Sequence, residues 1–200
     1  MERQKHENLY LPEGSLIDTD ANILYTSSLR MLERAMRQGR ILEAVATVCD
    51  CTDMSLHVDL GFAKGIIPKE EALYSPQGGK DIAVITRVGK PVCFKVLKIQ
   101  DTRGKPTAIL SRRAAQEECS QQFIKNLTPG DIIPAAVTHL DPFGAFVDIG
   151  CGIVSLICVD CISVSRIFHP SDRLYAGQKI LSVVKSIDRE TGRIYMTLRE

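Results

Sequence analysis

An excess of charge of either sign is what this chain most clearly lacks: 25 Lys and Arg stand against 24 Asp and Glu, a net charge of +1. That excludes a protein holding nucleic acid mainly by bulk electrostatics, which would need a marked basic surplus. No apolar run approaches the roughly 20 residues that cross a bilayer, so no membrane association is expected. The first ten residues are polar, without the basic start and apolar stretch of an export signal. Seven cysteines in such a chain point to reduced thiols and a cytoplasmic location. Catalytic signatures are also missing. There is no Gly-rich phosphate loop and no nucleophile elbow, and His6, His57, His139 and His169 stand apart from any nucleophile motif. The composition therefore favours a non-catalytic binding module that needs no cofactor.

What is present is a succession of short strand-like runs. Residues 1 to 24 alternate turn formers with short apolar pieces, as in Leu11-Pro-Glu-Gly14, and read as a mobile or loosely docked arm. Ser27 or Ser28 then caps a helix through about Gln38, with Leu29, Leu32, Ala35 and Met36 on one stripe and Gly39 as its stop. Five strands follow: Ile41 to Cys49, Leu56 to Leu60, Gly65 to Ile67, Val92 to Ile99 and Thr107 to Leu110. Arg112 to Leu127 is helical, with Ala115, Cys119, Phe123 and Leu127 spaced four apart. A second set of strands follows at Ile132 to Leu140, Phe146 to Ile149, Ile153 to Val159, Ile180 to Ile187 and Ile194 to Leu198.

The second set repeats the first. Gly39-Arg-Ile-Leu matches Gly130-Asp-Ile-Ile, His57-Val-Asp-Leu-Gly61 matches Phe146-Val-Asp-Ile-Gly150, and Val92 through Ile99 matches Ile180 through Ile187. The offsets of 91, 89 and 88 show loops that differ in length around a kept strand order. The expected organisation is an N-terminal arm and helix (1–38), a first barrel (39–113), a linker helix (114–127) and a second barrel (128–200). Charge is unevenly divided between them. Residues 38 to 113 hold 12 basic and 8 acidic side chains, and residues 128 to 200 hold 7 and 8.

Within the second copy, Asp141-Pro-Phe-Gly-Ala-Phe-Val-Asp-Ile-Gly150 places Phe143 at a bend and Phe146 with Asp148 on one strand face, leaving Ala145, Val147 and Ile149 on the other. Rings held on a barrel surface stack unpaired bases for roughly 1 to 3 kcal/mol each. Taken by themselves, the two Phe side chains would more readily fill a core. Cys158-Val-Asp-Cys161, near Cys151, invites a metal, but zinc would need a fourth ligand such as His169, and small reduced core residues explain the thiols without one.

These motifs have a known counterpart. Pro129-Gly-Asp-Ile, Phe143-Gly-Ala-Phe-Val-Asp-Ile-Gly150, Pro170-Ser-Asp, Ala176-Gly-Gln, Ile187-Asp-Arg-Glu-Thr-Gly-Arg-Ile194 and Thr197-Leu-Arg-Glu200, in that order, closely resemble the S-one RNA-binding domain, an OB-fold repeat of bacterial ribosomal proteins. Residues 39 to 113 resemble a divergent copy through Gly65-Ile-Ile-Pro68 and Leu110-Ser-Arg-Arg113. The resemblance implies a mainly β chain: two five-stranded antiparallel OB-fold barrels joined by a linker helix, with a short N-terminal helix. It implies single-stranded RNA as partner, messenger RNA or the ribosome among the sources, in translation or messenger handling.

Carried over residue by residue, the RNA-binding positions are Phe143, Phe146, Asp188 and Arg193, with Cys158 where the family places a histidine. Asp188 has a second reading as a partner of Arg189 or Arg193 that holds the turn. The sequence departs from the family at Cys158, at Ala136 in place of a basic residue, and at Pro134, so weaker RNA binding than a typical member is expected. In the first copy Met54 and His57 replace both aromatics, while Lys64, Lys69, Lys90, Lys95, Arg112 and Arg113 remain as candidate phosphate contacts. One barrel would then stack bases while the other contacts backbone. Drift of both barrels toward a protein-interaction adaptor is the competing expectation.

Overall fold

The structure is a computed structural model that describes residues 10–74, 82–102, 105–188 and 191–199. It contains two compact units, Glu13–Glu118 and a second formed by the chain up to Pro12 together with Cys119 onward.

In the first unit, Thr19 accepts the Asn22 N–H at 3.3 Å and starts α1 (Asp20–Tyr25). Helix α2 (Leu29–Gln38) buries Leu32 and Ala35 completely, as the stripe requires, and ends where Gly39 turns left-handed at φ 62°. The barrel comprises β1 (Leu42–Cys49), β2 (Leu56–Asp59), β3 (Lys64–Ile67), β4 (Pro91–Thr102) and β5 (Lys105–Ser111), with α3 (Ile82–Ile85) ahead of β4. Strands close in the order β1-β2-β3-β5-β4. Alternation sends Leu56, Val58, Ile67, Val92, Phe94 and Leu110 inward, where each is almost wholly buried.

The second unit repeats this plan. Helix α4 (Arg112–Gln122), whose residues up to Glu118 belong to the first unit, and a 3-10 turn (Ile124–Asn126) occupy the stretch where one helix through Leu127 was expected, and β6 (Ile132–Asp141) follows. Strands β7 (Gly144–Asp148), β8 (Val154–Cys158), β9 (Lys179–Asp188) and β10 (Arg193–Thr197) complete a closed barrel ordered β10-β8-β7-β6-β9. Each barrel is antiparallel apart from one parallel closing pair, β3 with β5 and β10 with β8.

The expectation of a loosely held arm is corrected over residues 10 to 24; His6 lies outside the described residues. In the second unit Tyr10 is buried and stacks on Phe123 at 6.0 Å, and the Leu11 carbonyl accepts the Cys151 N–H at 2.9 Å. In the first, Glu13 receives Arg112 in two parallel bonds of 2.7 and 2.9 Å, with Arg87 at 3.5 Å and the Cys93 N–H at 3.1 Å. The Asn22 amide treats Glu43 as a neighbouring strand would: it donates to the Glu43 carbonyl at 2.9 Å and accepts the Glu43 N–H at 2.8 Å. The Glu43 carboxylate in turn accepts the N–H groups of Gly14 and Leu16 at 3.1 and 2.9 Å. Polar groups spaced through a turn-rich stretch do the docking, so no apolar period announces it.

Two carboxyls in this cluster titrate in opposite directions. Burial raises Glu13, but the charge and hydrogen bonds of Arg112 and the Cys93 N–H outweigh it and hold the carboxyl below its ordinary range. Burial pushes Glu43 up from 4.5 to about 7, the Leu16 and Gly14 N–H groups opposing and the Glu13 charge adding. The folded state thus holds the Glu43 proton more tightly than the unfolded chain. Its stabilising contribution is complete below pH 4.5 and is lost as pH rises through 7. Chemical denaturation at a series of pH values should show stability falling across that window, and Glu43→Gln should flatten the fall. Arg112→Ala leaves Glu13 buried without its two-bonded partner, with Arg87 at 3.5 Å as the remaining cation, and should cost about 3 kcal/mol in the same measurement.

Candidate nucleic-acid interface

The second barrel's outer face is assembled by register. β6 carries a bulge between Val137 and His139, which sets His139 opposite Phe146 of β7. Phe146 lies opposite Leu156 of β8, and Leu156 opposite Tyr195 of β10. Four strands therefore contribute one continuous row: His139, Phe146, Leu156, Tyr195. The imidazole lies nearly parallel to the Phe146 ring, 21° and 6.2 Å away, and its Nε2 is 3.3 Å from the Asp141 carboxylate. Phe143, at the β6–β7 turn, is 56% exposed and meets Phe146 edge-on at 5.8 Å. Arg193 precedes Tyr195 by two residues on the same strand face and is exposed. A groove of about 340 Å³ runs between Phe146, Val154, Leu156, Arg193 and Tyr195.

Gly144 makes this arrangement possible. A Cβ there would sit 2.4 Å from the Ile157 carbonyl oxygen, so only glycine lets β7 approach β8 this closely between Phe143 and Phe146 in the chain.

The other expected positions differ in what they can offer. Cys158 sits half-buried at the end of the same β8 face, opposite Gly144. Burial, with Cys161 and Asp160 nearby, pushes its thiol above the ordinary range, so it is a neutral and weak hydrogen-bonding group there. Asp188 accepts the Thr191 hydroxyl at 2.6 Å and the Thr191 N–H at 3.2 Å, which fixes the β9–β10 hairpin. Arg189, the alternative partner for it, lies outside the described residues. Asp148 shares strand parity with Phe146 but is buried, its carboxylate accepting the N–H groups of Gly150 and Gly152 at 2.8 and 3.0 Å. It shapes the β7–β8 turn. His139 and Tyr195, which sequence reasoning missed, join the row through the β6 bulge and the parallel β8–β10 pairing. The only advance signal was Tyr195's place two residues after Arg193.

The first barrel presents the corresponding row as Val48, His57, Ile66 and Ile109. Its groove, about 440 Å³, includes Thr47, His57, Asp59, Phe62 and Lys64. Met54 turns at φ 58° in the loop before β2. Of the expected phosphate contacts, Arg112 is 2% exposed and bonds to Glu13 and to the Ala72 carbonyl, 3.2 Å away. Arg113 pairs with Glu71 at 2.6 Å and Lys95 pairs with Glu118. Lys64, Lys69 and Lys90 are exposed, and among them Lys64 lines the groove. Exposed Lys98, opposite Ile109, is a further cation of this face.

Among the described residues no cluster of three or more His, Cys, Asp or Glu side chains is placed to hold a metal ion. Cys161 is buried and accepts from Lys185 at 2.9 Å, while the His169 Nδ1 accepts the Ser171 N–H and caps a 3-10 turn (Pro170–Asp172). No helix among the described residues is long and apolar enough to cross a membrane.

Comparison with known proteins follows the same division. The S1 RNA binding domain model matches residues 37–113 and again 126–199. The small ribosomal subunit protein bS1 of Staphylococcus aureus (strain COL) is 29% identical over 191 residues, covering 94% of this chain and 46% of that protein. The bS1 of Rhodopseudomonas palustris is 32% identical over 147 residues, covering 72% of this chain and 25% of its own length. The chain thus spans less than half the length of these relatives. Among solved structures, a multidomain Streptococcus pneumoniae protein with nucleic acid binding domains aligns over 82% of this chain and 52% of its own, at 16% identity and a TM-score of 0.31.

Gly144→Ala should lower stability by about 1 to 3 kcal/mol through overpacking. It should also move the aromatic proton resonances of Phe143 and Phe146, read by denaturant titration and by NMR respectively; unchanged ring resonances would show that the strand approach does not set the rings.

Proposed function

This chain belongs to the S1 RNA-binding domain family, and from that premise we propose that it binds single-stranded RNA along the outer face of its second barrel. One observation carries the reading: a row of rings, His139, Phe146 and Tyr195, lies on an open strand face with Phe143 beside it and the Arg193 guanidinium at its edge. Bases stack on such rings with little regard to sequence, and a guanidinium reaches phosphate or stacks on a base in its own right. His139 supplies an imidazole from β6 on the face where Cys158 replaces the family's histidine on β8. Asp188 contributes by holding the hairpin that presents Arg193. The first barrel, with His57 in the place of Phe146 and with Lys64 and Lys98 on its face, contributes backbone contacts more than stacking.

The relatives' common name, small ribosomal subunit protein bS1, supports a role in translation or messenger handling, with messenger RNA or the ribosome as the source of the strand. The test is titration of a labelled single-stranded RNA against the wild type and a Phe143→Ala, Phe146→Ala double variant. Full stacking on both rings predicts a loss of roughly 2 to 6 kcal/mol. Equal affinities would remove the rings from the site, and absence of binding by the wild type would favour a protein-interaction adaptor.

A further inference from the structure

Helix α2 carries an electropositive feature of its own on its solvent side. Because Leu32 and Ala35 face the core, Arg30, Arg34 and Arg37 fall at spacings of four and three on the solvent side, and Arg40 follows just past the Gly39 stop. All four are exposed. The helix holds one acidic residue, Glu33, and Arg37 engages it at 3.8 Å. Arg30 and Arg34 meet no carboxylate among the described residues. Arg40 is held in place without being neutralised: its guanidinium lies 4.6 Å over the Tyr25 ring and its Nε donates to Gln38 at 2.8 Å, while the Tyr25 hydroxyl donates to the same Gln38 oxygen at 3.0 Å. A groove of about 520 Å³ lies among Arg30, Met31, Arg34, Arg37 and Gln38.

An ordinary solvated helix face accounts poorly for this pattern. The helix dipole favours Arg37 near the C-terminus but opposes Arg30 in the first turn, where no acidic residue stands. The cations are all arginine, the residue whose planar fork grips phosphate through two bonds. Their positions rise along the axis by roughly 4.5 to 6 Å per step, close enough for neighbouring guanidiniums to engage successive phosphates of one strand. The near balance of basic and acidic residues in the first 37 positions conceals the ridge from any charge count.

We propose that the Arg30, Arg34, Arg37 and Arg40 ridge of α2 is a sequence-independent phosphate-binding track for RNA, made of none of the residues of the ring-bearing face. The inference rests on the RNA-binding reading above and adds to it a site on which no base is read. Binding of RNA phosphates to the ridge releases the counterions condensed on the strand, so its signature is the salt dependence of binding.

The test uses the full chain, a fluorescently labelled oligouridine, and four proteins: wild type, Arg30→Gln/Arg34→Gln/Arg37→Gln, the corresponding triple Lys variant, and Phe143→Ala/Phe146→Ala. Circular dichroism verifies that each is folded. Neutralising three phosphate contacts should make the slope of log K against log salt shallower by about 2, from ~0.7 per single-strand phosphate, with at least tenfold weaker binding at low salt. The Lys variant should keep most of the slope, and the Phe variant should lose affinity with its slope intact. An unchanged slope in the Gln variant, with the Phe variant still impaired, overturns the ridge and leaves the ring face standing. No RNA binding by the wild type overturns both. A Gln variant that loses binding to polyglutamate but not to oligouridine assigns the ridge to an acidic protein segment and overturns the RNA track.

Discussion

Barrel closure is the constraint on which the rest of this protein depends. In the second barrel the sheet closes through a short parallel seam, Tyr195 opposite Leu156 and Met196 opposite Ile157. Closure removes the two strand edges that would otherwise expose unpaired backbone groups. It also carries the outer row round from β6 to β10, so residues from four separate segments become lateral neighbours. The seam is reinforced from inside: the buried Ser155 hydroxyl donates to the Ile194 carbonyl at 2.6 Å. In the first barrel the equivalent seam relies on close packing, since a Cβ on Gly65 would lie 2.7 Å from Leu110 and 3.1 Å from the Val58 carbonyl.

The two copies keep this closure and spend their surfaces differently. Where the second barrel shows Phe146 and Tyr195, the first shows His57 and Ile109, with cations alongside. The opposite divergence appears on the faces of β1 with β4 and of β6 with β9. The Glu43–Cys93 pair is buried beneath residues 13 to 25, whereas the corresponding Pro134–Leu181 pair leaves Leu181 and nearby Ile132 more than 65% exposed. A repeat in sequence has thus produced one barrel with a covered flank and a sparse ligand face, and another with a bare flank and a ring-bearing face.

Strand positions were legible because each has an alternating inner face, and both barrels form where Val58 and Ile67, or Ala145 and Val147, predict an interior. Gly39 likewise ends α2 for the reason its position suggests. Features that hang on a shift of one residue or on distant polar partners were not legible. His139 reaches the ring row only because β6 bulges after Val137. Asp148 has the parity of an outward residue but is drawn in by two N–H groups of the following turn. Arg112 reads as a surface cation until Glu13 meets it, and Arg113 beside it is turned to Glu71.

The Glu13–Arg112 pairing also sets an order of events. The two residues are 99 positions apart, so at roughly 5 to 20 residues per second of synthesis the clamp must wait on the order of 5 to 20 s for its second half. Through that interval the Glu13 carboxylate remains hydrated and residues 13 to 25 have no finished barrel to lie on. The bonds of Gly14, Leu16 and Asn22 to Glu43 need only β1, whereas the Glu13 clamp cannot close before β5 and the start of α4 have been made.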